Sequence, residues 1–227
     1  MKLLLTGLIL SISFFTNSDM NHNQSHSFLA LGDSYTIGEA VEEEQRWPVQ
    51  LAKKLSEGGV TVSNPEIIAT TGWTTDELLA AIDKADMVGN FNIVSLLIGV
   101  NNQYRGYPIV QYKNEFTELL EKAIQFAGGN PESVFVVSIP DYGVTPFVKD
   151  KGLDSDKIEK ELYQYNQLAK EISETLGVVF IDITPGSRLA KNDDSFVASD
   201  GLHPSGKMYT QWTDLIYSTI YDNLSSR

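Results

Sequence analysis

Apolar residues in this chain fall into short continuous runs separated by longer stretches in which they recur every three or four positions. Runs at 28–31, 66–69, 93–98, 134–139 and 178–181 have the length and near-continuous apolarity of strands buried on both faces. Val60 to Val62 is also β-rich. Between the runs lie helical patterns. Trp47, Leu51 and Leu55 recur every four residues ahead of Gly58-Gly59, and Phe116, Leu119, Leu120, Ala123 and Ile124 share a face within 112–126. Thr74 or Thr75 is placed to cap a helix from 76 to about 86, and Asp154 or Ser155 opens one running to about 176. A last helix from 205 to about 224 carries Met208, Trp212, Leu215, Ile216 and Ile220. Strands alternating with helices at this spacing predict an α/β fold: a five-stranded parallel sheet with helices on both faces.

In such a sheet all carboxyl ends lie along one edge, where open α/β folds bind their ligands. Three polar features reach that edge. The first run ends in Gly32-Asp33-Ser34-Tyr35, which is either an ordinary turn or a device holding the Ser34 hydroxyl there as a nucleophile. Gly72 lies in the next strand-to-helix loop, where a glycine lets a backbone N–H approach a ligand closely. Asn101 and Asn102 follow the central strand, as Asx turns or as side-chain amide donors. The tail adds Asp200-Gly201-Leu202-His203-Pro204. An aspartate three residues ahead of a histidine can accept the Nδ1 proton and leave Nε2 facing outward, as a general base requires. Segments 99–112 and 140–153 read as pocket walls, the second as a long loop, with Tyr104 and Tyr142 as substrate-binding candidates beside Tyr107 and Phe147. Arg105 is placed either to meet a substrate anion or to pair with surface acid.

Composition narrows the partners. A chain of 227 residues with no linker after residue 27 reads as one domain over 27–227. Its net charge of −13 argues against nucleic acid or anionic membrane as a partner, since both need a basic footprint. Lys2, the apolar run 3–15 and a polar exit make residues 1–18 a secretory signal or an uncleaved anchor, followed by a polar linker over 19–26. Secretion or periplasmic location follows, with no membrane partner expected beyond that segment. Without cysteine there is neither a disulfide nor a lipoprotein anchor. His22 and His26 share a spacing but lack a third ligand, so no metal is expected. Gly201 to Lys207 imitates the start of a P-loop, but Met208 stands where a hydroxyl is needed and no strand precedes it. No Gly-x-Ser-x-Gly elbow occurs.

Taken together, Gly32-Asp33-Ser34-Tyr35, Gly72, Gly99-Val100-Asn101-Asn102 and Asp200-Gly201-Leu202-His203-Pro204 resemble the four ordered blocks of the SGNH, or GDSL, hydrolases. The resemblance spans the chain from residue 27 on. It implies a flavodoxin-like three-layer α/β/α sandwich and a serine esterase acting on a small-molecule ester; with the signal-like start the enzyme reads as exported, and no cofactor is expected. Ser34 would be the nucleophile, His203 the base and Asp200 its orienting group, with Ser34, Gly72 and Asn101 forming the oxyanion hole. Asn102 departs from the pattern, which usually has aspartate there. A non-catalytic glycan- or lipid-binding protein on the same fold, or an acyltransferase, is the alternative.

Overall fold

The sheet is built from β1 (Phe28–Gly32), β2 (Glu66–Ala69), β3 (Ile93–Leu97), β4 (Val134–Val137) and β5 (Val179–Ile181) in the order β2-β1-β3-β4-β5, every neighbouring pair parallel. It belongs to a computed structural model that describes residues 25–225 apart from Asp86 and Val88. The expected signal or anchor and most of the linker lie outside the described residues. His26, assigned to the linker, already pairs with Val62 at the start of the sheet, its N–H donating to Thr61 O at 2.8 Å.

The helices are α1 (Ser34–Ile37), α2 (Trp47–Glu57), α3 (Thr75–Ala85), α4 (Val100–Tyr104), α5 (Ile109–Phe126), α6 (Pro146–Lys151), α7 (Ser155–Thr175), α8 (Thr184–Ser187) and α9 (Gly206–Ser225). Helix α2 packs against α9 on one face of the sheet, and α3, α5 and α7 lie side by side on the other. The result is the three-layer sandwich expected, with β1, β3 and β4 buried along their whole length. Trp47, fully buried, stacks edge-on against Phe135 at 6.2 Å and near Phe28 at 6.4 Å, joining α2 to the middle of the sheet.

The strand order places the topological switch between β1 and β3, because the chain leaves β1 toward one edge of the sheet and returns to build the other. The crevice outside that point is where the turns after β1 and β3 meet. Two local readings change. The segment 140–153 is not an open loop: a 3₁₀ turn, Tyr142–Val144, leads into α6, which opens on Pro146 and closes on Gly152. Asn101 and Asn102 sit in the short helix α4, which removes the Asx-turn alternative and leaves the other, side chains that act as amide donors.

Candidate active site

The turn after β1 is set by crowding. A Cβ on Gly32 would lie 2.2 Å from Thr36 Oγ1 and 2.4 Å from the Leu97 carbonyl oxygen, so only glycine lets the strand bend into α1 at this point. Asp33 caps α1, its Oδ1 accepting from the Tyr35 N–H at 3.0 Å. Ser34 is thereby fixed as the first residue of the helix, nearly buried, at a position whose N–H has no intrahelical acceptor. The Asp33 carboxyl is wholly buried and its Oδ2 lacks a partner among the described residues. Burial raises its pKa to about 7 against the opposing hydrogen bond from Tyr35.

The tail closes on itself as a tight loop. Ala198 N–H donates to His203 O at 2.7 Å, Ser205 N–H to Phe196 O at 3.0 Å, and Val197 and Pro204 form an antiparallel bridge. Inside it Asp200 Oδ1 accepts from the N–H groups of Leu202 and His203, each at 2.9 Å, while Oδ2 lies 2.5 Å from His203 Nδ1. Partial burial works to raise the Asp200 pKa, but these donors outweigh it and the net shift is downward. An ionised carboxylate on Nδ1 keeps the imidazole proton on that side and leaves Nε2 as the acceptor. The Tyr35 ring stands edge-on to the His203 ring at 5.8 Å and to Trp212 at 6.3 Å, so the residue after Ser34 packs directly on the histidine. The tail also ties to the segment after β4, where Phe147 N–H donates to Gly201 O at 2.9 Å.

The loop after β2 is held by the helical turn after β3. Asn101 Nδ2 donates to Trp73 O at 2.9 Å, using one of the two amide N–H groups and fixing the plane of the other. Asn102, fully buried, accepts the Thr75 N–H on Oδ1 at 3.1 Å and donates from Nδ2 to Thr75 Oγ1 at 2.7 Å. Arg105 reaches Gly72 O with Nη2 at 2.6 Å and Glu77 with Nη1 at 3.4 Å. Gly72 itself has φ of +90°, a conformation that a side chain would strain.

The fit of Asn102 explains its departure from the family pattern. Thr75 Oγ1 gives its single proton to Glu115, which also accepts from Gln111 at 2.8 Å, so the hydroxyl can only accept from residue 102. An amide supplies that donor and a carboxylate cannot. Asn102→Asp should therefore destabilise the protein by about 1–3 kcal/mol, several degrees in Tm, because a buried acceptor would face another acceptor. Adding Glu115→Gln restores a donor and should recover most of the loss. A single Asn102→Asp variant melting with wild type would remove this account.

The aromatic candidates form one cluster. Tyr104, 55 % exposed on α4, lies 6.3 Å from Tyr142 and 6.5 Å from Phe147 between ring centres. Tyr142 is only 5 % exposed, donates to Gln103 Oε1 at 2.9 Å and lines a small cavity with His203, Tyr35 and Asp141. Three participants carry no sequence signal for the parts they take. Asp141, buried, accepts from Gly143 N–H at 2.9 Å and from Arg188 Nε at 2.8 Å, tying the 140–153 segment to the end of α8. Asp33 looks in the sequence like one more turn residue. Arg105 pairs with the surface acid Glu77, one of the two partners expected for it, and also meets the Gly72 carbonyl, a contact that no sequence pattern announces. No cluster of His, Cys, Asp and Glu able to hold a metal occurs among the described residues.

Fold and site define an α/β hydrolytic enzyme built on a serine turn. The chain matches the GDSL-like lipase/acylhydrolase family over residues 30–211 and belongs to it, as an ester hydrolase of GDSL type. An arylesterase of Vibrio mimicus is 28 % identical over 137 residues, 60 % of this chain and 66 % of the relative. A Pseudoalteromonas sp. psychrotrophic esterase, EstA, superposes with a TM-score of 0.68 at 17 % identity over 88 % of this chain and all of that one. A Clostridium beijerinckii protein named as an NADP-dependent shikimate dehydrogenase is 25 % identical over 209 residues, 87 % of this chain and 72 % of the relative. That name is the relative's own.

Proposed function

We propose that the chain is an exported serine esterase hydrolysing carboxylic esters. His203 Nε2 takes the Ser34 proton as Oγ attacks the ester carbonyl carbon, and the tetrahedral oxyanion is met by the N–H groups of Ser34 and Gly72 and the Asn101 amide. Collapse breaks the bond to the alcohol, which leaves with the proton from His203. Water, deprotonated by the same imidazole, then releases the acid and regenerates Ser34. Asp200 holds the tautomer and stabilises the imidazolium without taking its proton. Tyr104 and Tyr142 line the acyl or alcohol side of the substrate.

The observation that carries the reading is the Asp200–His203 pair at 2.5 Å, seated against the serine turn through Tyr35. Export rests on the basic start and apolar run of residues 1–18. Protein lacking residues 1–18 should hydrolyse short p-nitrophenyl esters and take up a fluorophosphonate probe on Ser34, and the full chain should be recovered outside the cytoplasm. Labelling of another residue would sink the assignment of the nucleophile, and retention in the cytosol would sink export.

A further inference from the structure

We propose that Arg105 is a positioning residue for the oxyanion hole, an inference that rests on the esterase reading above. Gly72 is expected to present its N–H to the oxyanion, yet glycine has no Cβ to restrict its own rotation. Its orientation must therefore come from bonds made by its neighbours. The structure supplies one on each side. The Thr71 hydroxyl donates to Glu39, beyond the serine helix, and the Gly72 carbonyl accepts from Arg105 at 2.6 Å. Trp73 N–H closes the turn on Thr70 O at 3.2 Å, and its carbonyl takes the Asn101 amide.

One turn of helix thus grips three successive points of the loop: Arg105 on Gly72, Asn101 on Trp73 and Asn102 on Thr75. Of the three, Arg105 alone holds the peptide next to the Gly72 N–H, and it is the least buried, its side chain 38 % exposed. Glu77 fixes the guanidinium from the other side while accepting the Thr74 N–H at 2.9 Å, so the carboxylate links clamp and loop. A planar guanidinium can satisfy the carbonyl and the carboxylate at once, which an ammonium point charge does poorly. The bond ties the backbone and contributes little to folding, since it lies at the surface.

Arg105→Ala should lower kcat about 10- to 100-fold with KM little changed, short of the 10²–10³ expected for losing a donor outright, because the Gly72 N–H is misaimed and not removed. Affinity for an alkylboronic acid, which forms the tetrahedral anion on Ser34, should fall in step. Tm should stay near wild type. Millimolar guanidinium should restore part of the kcat of Arg105→Ala, and Arg105→Lys should remain impaired. A kcat equal to wild type, or a change confined to KM with boronate affinity intact, would overturn the proposal. Should Arg105→Ala fold poorly, Arg105→Gln reads the same quantities. Ser34→Ala in the same assays separates the two levels: hydrolysis that survives it overturns the esterase reading and the clamp with it.

Discussion

Ser34→Ala and His203→Ala should each reduce ester hydrolysis to background, a loss of about 10⁴-fold or more, and the double variant should be no worse than either. A serine hydroxyl is a poor nucleophile until a base takes its proton, so removing either partner removes the whole step. Asp200→Asn should cost about 10⁴-fold for a different reason. Its Oδ1 can still accept the N–H groups of Leu202 and His203, so the loop survives, but the group facing Nδ1 becomes a donor. The imidazole then turns its proton to Nε2 and can no longer accept one from Ser34. Rates on a p-nitrophenyl ester with each variant check this; residual activity in Ser34→Ala within tenfold of wild type would exclude Ser34 as the nucleophile.

The second large effect is on stability. Asp33 titrates near its ordinary value of 3.8 when unfolded and at about 7 in the folded chain. Between those values the folded protein holds a proton that the unfolded chain has released, so this group's contribution is complete below pH 4 and is lost as pH rises through 7. The loss has an upper bound of roughly 4 kcal/mol, on the order of 10 °C in Tm. In the Asp33→Asn variant the amide oxygen keeps the acceptor for the Tyr35 N–H, and no charge is carried into the site at any pH. Asp33→Asn should thus stay close to wild type at pH 4 and exceed it increasingly up to pH 8, in thermal melts across that range. Equal losses in both proteins between pH 4 and 8 would show that Asp33 is not the group responsible.

Much of this was legible in the sequence because the relevant signals are local. The strands of a parallel sheet are continuous apolar runs, and Phe28–Gly32, Ile93–Leu97 and Val134–Val137 appear within two residues of where those runs lie. The Asp200-to-His203 spacing implied the hydrogen bond that forms. What local pattern hid is decided by distant partners. Asn101 and Asn102 look like turn residues, but bonds to Trp73 and Thr75 from the preceding loop draw them into a helical turn. Arg105 has no intrinsic preference for a carbonyl, and only the crossing of two loops supplies one. The helix α6 carries Pro146 and Gly152 as its own start and stop, signals that the expectation of a pocket loop overrode.

The helical turn that grips the loop before it also holds the wall opposite, through Gln103. The segments of Gly72 and Asn101 are joined by side-chain donors on backbone carbonyls, and the turn of Ser34 is linked to the Gly72 loop through Glu39 and Thr71. Tyr142 and Phe147 come from the segment between β4 and α7, fastened to the end of α8 through Asp141 and Arg188 but also to the site itself, Tyr142 through Gln103 and Phe147 through Gly201. On the esterase reading, a change in that stretch that suits a new acyl or alcohol group also pulls on the turn that carries Asn101 and on the loop that carries His203. In such a scaffold the choice of substrate and the aim of the reacting groups change together.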